Sequence, residues 1–110
     1  YSLLALADAV VGNSSSGVWE APSFSLPAVN VGDRQMGRTR AGNVLDVPLD
    51  PEAIAVAVRR ALEPAFRASL AGMANPYGDG HASERIVSTL GTAPIGTRLL
   101  RKQFVERKNY

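Results

Sequence analysis

Three short apolar segments, spaced by turn and helix signals, constrain the fold of this chain more than any other feature. They are AVV at residues 9–11, PAVNV at 27–31 and VLDV at 44–47. Apolar, β-branched runs of this length predict strands that are buried on both faces. Helical segments lie between or after them, an order typical of an α/β fold with a parallel sheet. The chain is therefore predicted to be α/β, with a helix-rich C-terminal half.

The helix that follows the third strand has the clearest start. Asp50 is a good N-cap, Pro51 suits the first helical position, and Glu52 places an acid in the first turn. An earlier helix is predicted over residues 17–24. Because Pro22 lies inside it, that helix is expected to be short or kinked.

The last third of the chain predicts two more helices, over residues 82–90 and 95–106. Ile86, Val87 and Leu90 are expected on the buried side of the first. Three strands make a thin parallel sheet whose open edges are a liability. We therefore expect the chain to be one piece of a larger α/β protein.

Composition excludes several classes of protein. The chain has no cysteine and one histidine, so it shows no spacing typical of a metal site, and no metal or cofactor is expected. A net charge of +2 is too weak to indicate a nucleic-acid partner. No apolar run approaches the roughly 20 residues of a membrane span, and no signal peptide is visible. A soluble, cytoplasmic protein with no membrane partner is expected.

Residues 11–17, VGNSSSG, predict a strand that runs through a small, polar turn into a helix. Such a helix start offers unpaired N–H groups to a phosphate, and Ser14 and Ser15 add hydroxyl donors. The alternative is an ordinary serine N-cap. Glu20, one to two turns later, can accept hydrogen bonds from both ribose hydroxyls, or it can be a solvated helix residue. A serine nucleophile is disfavoured, because the only histidine, His81, is distant in sequence and the G-x-S-x-G elbow is absent.

The loop GDRQMGR at residues 32–38 follows the second strand directly. It therefore lies at the carboxyl edge of the sheet, where open α/β proteins bind ligands. Arginines such as Arg34 suit phosphate there, although a solvated basic loop explains the same composition. Residues 75–83, NPYGDGHAS, are predicted to be a structural turn, with His81 as a surface or cap residue.

These segments, in this order, resemble the UDP-N-acetylglucosamine 2-epimerases. The resemblance rests on residues 12–24 (GNSSSGVWEAPSF), 27–38 (PAVNVGDRQMGR) and the YGDG turn at 77–80, and covers about residues 1–90. It is closest to the hydrolysing branch, which includes enzymes of sialic- and legionaminic-acid synthesis. The run at residues 32–38 favours that branch, since the non-hydrolysing enzymes have a different segment there.

The resemblance implies a GT-B fold, in which two Rossmann-like domains enclose a nucleotide sugar. Residues 1–92 would form the C-terminal half of the UDP-binding domain. Residues 93–110 would form a helix that crosses to the N-terminal domain, which this chain lacks. Within the site, the resemblance implies that Ser14 and Ser15 bind the diphosphate of UDP, Glu20 binds the ribose hydroxyls and Arg34 contacts UDP.

The implied reaction converts UDP-N-acetylglucosamine and water to N-acetylmannosamine and UDP. It begins with loss of the C2 proton and anti elimination of UDP, and the substrate is UDP-N-acetylglucosamine or a diacetamido relative. The acid and base would lie upstream of this chain, so no catalytic residue is expected here and the chain alone is expected to be inactive. A homodimer is a family expectation. Two alternatives stay open: a non-catalytic nucleotide-sugar-binding module, and a fragment of a GT-B glycosyltransferase.

Positions 98–110 contain five basic residues and one acidic residue. Charge runs of this kind usually form a solvated helix face. The implied crossing of this segment to another domain makes a docking surface the second interpretation.

Overall fold

The computed structural model of this chain describes residues 1–101, apart from the side chain of Arg98. The chain divides into two compact units, Tyr1–Asp79 and Gly80–Tyr110. All strands of the described part belong to the first unit. Among the described residues, no helix combines the length and the apolar character that crossing a bilayer requires.

The first unit is built on a parallel three-stranded sheet with strand order β1-β2-β3. The strands are β1 Val10–Gly12, β2 Ala28–Val31 and β3 Val44–Val47. Gly12 pairs with Asn30, so the carboxyl ends of neighbouring strands lie side by side. The predicted α/β class and the three predicted strands are confirmed, each within one residue at either end.

Helices precede, separate and follow the strands of this unit. They are α1 Ser2–Leu6, α2 Ser16–Trp19, a 3₁₀ helix at Ala21–Phe24, α3 Pro51–Ala61 and α4 Pro64–Ser69. The helix predicted over residues 17–24 is indeed broken into α2 and the 3₁₀ helix. Pro22 takes an early position of the 3₁₀ helix, where its missing N–H costs little.

The start of α3 follows the sequence prediction closely. A carboxylate oxygen of Asp50 accepts a hydrogen bond of 2.8 Å from the N–H of Ala53. Pro51 and Glu52 occupy the first turn. This cap satisfies one of the backbone donors that a helix start leaves unpaired, and it fixes where α3 turns back over the sheet.

The central strand is covered on both faces. Ala28 packs with Ala21 and Leu26, beneath the 3₁₀ helix and α1. Val29 packs with Ala57 and Ala61 of α3 on the opposite face. Successive residues of a strand point to opposite faces, so this alternation places one apolar cluster on each side of the sheet.

The second unit contains α5 Ala82–Thr92 and α6 Thr97–Leu100. The prediction that Ile86, Val87 and Leu90 face inward is wrong, because these side chains are 57%, 69% and 69% exposed. An apolar stripe indicates that one face of a helix can pack against another element. It does not show that this element belongs to the same chain.

The C-terminal predictions meet the described part only in places. The helix predicted over residues 95–106 is seen as α6, and its positions 102–106 lie outside the described residues. Three members of the predicted basic surface, Lys102, Arg107 and Lys108, also lie outside them.

Candidate functional site

The turn after β1 forms the first part of the site. Gly12 ends the strand with a φ of +143°, a conformation that L side chains rarely adopt. Ser14 Oγ then accepts a hydrogen bond of 3.3 Å from the N–H of Ser16. Ser15 holds the N-cap position, but its side chain makes no capping hydrogen bond. Hydroxyls that are not consumed as caps can still donate their protons to an anion.

The helix behind this turn rests directly on the sheet. A Cβ built on Gly17 would lie 3.3 Å from Ala28 Cβ, tighter than ordinary van der Waals contact. Asn43, which is fully buried, donates through Nδ2 to the carbonyls of Gly17 at 3.3 Å and Leu26 at 2.8 Å. Asn43 therefore holds the first turn of α2 in place. Sequence reasoning missed it, because an asparagine before a strand is also a common turn residue.

Glu20 lies at the C-terminal end of α2 and is partly buried. Its Oε2 atom is buried, and among the described residues it has no hydrogen-bond partner. A buried carboxylate oxygen without a donor is unfavourable. The arrangement suits a ligand that brings hydroxyl donors to this position.

The arginine loop, residues 32–43, contacts the turn after β1. Arg34 Nη1 donates to the carbonyl of Asn13 at 3.3 Å, and Gln35 Nε2 donates to the same carbonyl at 2.7 Å. Gln35 is 2% exposed. The structure thus brings together two segments that the sequence predicted separately. The role of Gln35 was missed, since its only signal is an amide next to an arginine.

The three arginines of residues 32–43 have different surroundings. The Arg38 guanidinium lies 4.9 Å from the centre of the Trp19 ring. Arg40 forms an ion pair with Asp46, with Nε 2.6 Å from Oδ2. Arg34 is exposed and contacts the turn that carries the serines. Of the three, Arg34 is therefore the best placed to bind a phosphate at that turn.

Two clefts open at the carboxyl edge of the sheet. The smaller, of about 450 Å³, is lined by Gly12, Asn13, Val31, Gly32, Asp33, Arg34 and Leu49. The larger, of about 600 Å³, is lined by Gly32, Asp33, Met36, Arg40, Asp46, Val47, Pro48 and Leu49. Ser14, Ser15 and Glu20 line neither cleft. We regard the smaller cleft as the candidate ligand site, because Arg34 and the turn after β1 (Gly12 and Asn13) both border it.

Asp46 is one of the charged residues that line the larger cleft. Burial raises the pKa of its carboxyl, but hydrogen bonds from Arg40 and Asn30 and the charge of Arg40 outweigh it, so the pKa lies below its ordinary value. Asn30 Nδ2 donates to Oδ1 at 2.6 Å, and Arg40 Nη2 donates to the same oxygen at 3.1 Å. This network joins β2, β3 and the end of the arginine loop.

The glycine-rich turn that begins at Asn75 makes structural contacts, as predicted. Asn75 Oδ1 accepts a hydrogen bond of 2.9 Å from the N–H of Tyr77. In the second unit, His81 is largely exposed and its Nδ1 lies 2.9 Å from Glu84 Oε2. It holds the N-cap position of α5. The prediction of His81 as a surface or cap residue is confirmed.

Comparison with known families gives a match over most of the chain. The family described as UDP-N-acetylglucosamine 2-epimerase matches residues 1–91. This range includes the serine turn, Glu20, the arginine loop and the Asn75 turn. The resemblance inferred from the ordered motifs is therefore confirmed.

Individual relatives carry related names. A UDP-N,N'-diacetylbacillosamine 2-epimerase (hydrolyzing) of Legionella pneumophila is 46% identical over 100 residues, which cover 90% of this chain and 25% of the relative. A GDP/UDP-N,N'-diacetylbacillosamine 2-epimerase (hydrolyzing) of Campylobacter jejuni is 53% identical over 45 residues, 41% of this chain and 12% of the relative. A UDP-N-acetylglucosamine 2-epimerase of Neisseria meningitidis is 36% identical over 59 residues, 54% of this chain and 16% of the relative. The chain spans about a quarter of the length of the Legionella relative.

Proposed function

Because this chain belongs to the UDP-N-acetylglucosamine 2-epimerase family, we propose that it is the UDP-binding part of a longer, hydrolysing 2-epimerase. In that protein it would be the C-terminal half of a Rossmann-like domain in a GT-B fold, with residues 93–110 crossing to the other domain. The longer protein would be the enzyme, and this part alone would not catalyse the reaction. A cytoplasmic location and a homodimer remain predictions of the same proposal.

One observation carries the proposal: Arg34 and Gln35 both donate to the carbonyl of Asn13. These contacts hold a guanidinium beside the turn that presents Ser14 and Ser15. A cation and small hydroxyl residues at the carboxyl edge of a parallel sheet suit a diphosphate. Glu20, with a buried oxygen that lacks a donor among the described residues, suits the ribose hydroxyls.

The chemical contribution of this site would be to bind and stabilise the leaving group. Elimination of UDP from a UDP-sugar develops negative charge on the departing diphosphate. Donors already aimed at that charge lower the barrier, because they need no reorganisation as the bond breaks. Proton removal at C2 would belong to side chains outside these 110 residues.

The substrate class is a UDP-sugar with an acetamido group at C2. UDP-N-acetylglucosamine and UDP-N,N'-diacetylbacillosamine share this chemistry, and both occur in the names of relatives. The full-length protein should therefore be assayed with each sugar, measuring released UDP and identifying the sugar product by NMR. A free 2-epimerised sugar supports the proposal. A sugar transferred to an acceptor would instead support the glycosyltransferase alternative.

The site assignment is tested by Arg34→Ala in the full-length protein. Loss of a charge-assisted hydrogen bond costs about 1.5–3 kcal/mol, so UDP affinity should fall about ten- to a hundredfold. Arg59→Ala is the matched control, because Arg59 is an exposed arginine in the last turn of α3. Equal UDP affinities for the two variants, measured by calorimetry, would contradict the assignment of Arg34.

The isolated 110-residue chain gives a second test. It carries the proposed UDP site but no expected acid or base, so it should release no UDP from either sugar. Turnover by the chain alone would contradict the proposal that the catalytic acid and base lie outside these 110 residues. UDP binding by the full-length protein without turnover on any sugar would favour the non-catalytic binding module.

A further inference from the structure

The turn that begins at Asn75 contacts the end of α2. Asn75 Nδ2 donates to the carbonyl of Trp19 at 2.9 Å and to Ser23 Oγ at 2.7 Å. Its Oδ1 accepts from the N–H of Tyr77 at 2.9 Å. Both ends of the amide are therefore engaged, and the side chain is held in one orientation between the turn and the helix.

Tyr77 extends these contacts to the arginine loop. Its hydroxyl donates to the carbonyl of Thr39 at 2.9 Å. Its ring stacks on Trp19, with the centroids 5.3 Å apart and the planes at 29°. Since Arg38 lies over the same tryptophan, the aromatic pair joins three segments. We call Asn75 and Tyr77 the clasp.

The clasp acts next to Glu20. The carbonyl that Asn75 binds belongs to the peptide group between Trp19 and Glu20. The N–H of that same peptide group donates to the carbonyl of Ser16 at 3.1 Å. Hydrogen bonds on both sides fix the plane of this peptide, and with it the position of the Glu20 Cα atom from which the side chain leaves the backbone.

From this geometry we propose that Asn75 is a positioning residue for Glu20. By binding the Trp19 carbonyl, it directs the Glu20 carboxylate toward the ribose hydroxyls of UDP, and Tyr77 keeps the clasp closed against the arginine loop. The proposal rests on the proposed function, because it requires Glu20 to bind a ribose. It gives the Asn75 turn a task in nucleotide binding.

The test is a double-mutant cycle in the full-length protein, with Glu20→Ala, Asn75→Ala and the double variant. Affinities for UDP and for 2′,3′-dideoxy-UDP, which lacks both ribose hydroxyls, are measured by calorimetry. Glu20→Ala should weaken UDP binding about tenfold or more, and Asn75→Ala about three- to tenfold. The double variant should bind UDP no more weakly than Glu20→Ala. Neither single change should alter dideoxy-UDP binding by more than about twofold.

Two further variants keep the test decisive. Ser23→Ala removes one acceptor of Asn75 but leaves the Trp19 carbonyl bond, so it should bind UDP like the wild type. If Asn75→Ala does not fold by circular dichroism, Asn75→Asp replaces it in the cycle. The aspartate keeps an acceptor for the N–H of Tyr77 but has no N–H to donate to the Trp19 carbonyl.

The outcomes separate this inference from the proposed function. If the Asn75 and Glu20 losses multiply in the double variant, or if Asn75→Ala weakens both nucleotides equally, Asn75 does not act through Glu20 and the inference is overturned. In either case the proposed UDP site stands. If the wild type does not bind UDP, or if Glu20→Ala binds UDP as tightly as the wild type, the ribose assignment itself is wrong and the inference is overturned with it.

Discussion

Gln35 Nε2 donates a hydrogen bond of 2.7 Å to the main-chain carbonyl of Asn13, 22 residues earlier in the chain. The glutamine is almost completely buried. Its bond fastens the arginine loop to the turn after β1. The relative placement of Arg34 and the two serines therefore depends on an amide that has no charge and is not proposed to contact the nucleotide.

Replacing Gln35 by leucine should destabilise the protein by about 1–3 kcal/mol, because the Asn13 carbonyl loses its short hydrogen bond from a buried donor. Urea unfolding of wild type and variant measures this difference. Met36→Ala is the control, since Met36 is the next residue in the same loop and is 74% exposed. It should change stability by less than about 0.5 kcal/mol. Equal effects of the two changes would show that the buried amide contributes nothing specific.

Asn43→Ala should also be destabilising, by about 2 kcal/mol or more. The change removes the side-chain donor to the carbonyls of Gly17 and Leu26 and leaves a gap in the core. Asn43→Asp keeps the shape but places an acceptor against two carbonyls, so at neutral pH it should cost at least as much. An Asn43→Asp variant as stable as the wild type in urea unfolding would contradict the role assigned to Nδ2.

The Asp46 carboxyl should make stability depend on pH in the acid range. Its folded-state pKa is depressed, so its contribution is present above the unfolded-state pKa of about 3.9 and is lost as the pH falls through the folded-state pKa. Wild type should be more stable than Asp46→Asn at pH 7, and the gap should close below about pH 4. Because the side chain is 47% exposed, solvent screening limits the gap to about 1 kcal/mol or less. A gap that stays constant from neutral to strongly acidic pH would rule out this explanation.

The Asp50 cap should be worth about 1 kcal/mol, the usual loss when an N-cap aspartate becomes alanine. Asp50→Ala removes the acceptor of the Ala53 N–H, and thermal unfolding should show a lower Tm. Glu63→Ala is the matched control, because Glu63 holds the same position before α4 but makes no side-chain cap bond. If the control lowers Tm as much as Asp50→Ala does, the capping bond is not the cause.

Elements with local causes could be read from the sequence. The VLDV run gave the bounds of β3, Asp50 and Pro51 marked the start of α3, and Pro22 indicated a broken helix. Each of these signals affects the backbone conformation of only a few neighbouring residues. The buried face of α5 was predicted wrongly because burial, unlike a cap or a turn, is not a local property. Its stripe of Ile86, Val87 and Leu90 is local information, whereas burial depends on what packs against it.

For the candidate site, the sequence indicated which residues suit a nucleotide, and the structure showed which of them come together. Three arginines in one loop are equivalent as a pattern. Only the folded chain separates Arg34, at the serine turn, from Arg38, over Trp19, and Arg40, paired with Asp46. The residues that hold the site, Gln35, Asn43 and Asn75, have no local signal of their role, because their partners lie 17 to 56 residues away in sequence.

By itself, then, the sequence determined the α/β class, the three strands and the order of the motifs that place the chain in its family. Periodicity, caps and turns express backbone preferences that operate over one or two turns of chain. The tertiary structure alone decided that the arginine loop rests on the carbonyl of Asn13, and that the Asn75 turn reaches back to Trp19. Such contacts form when packing of the sheet and helices brings distant main-chain carbonyls within 3 Å of a side-chain amide, and no local pattern encodes that distance.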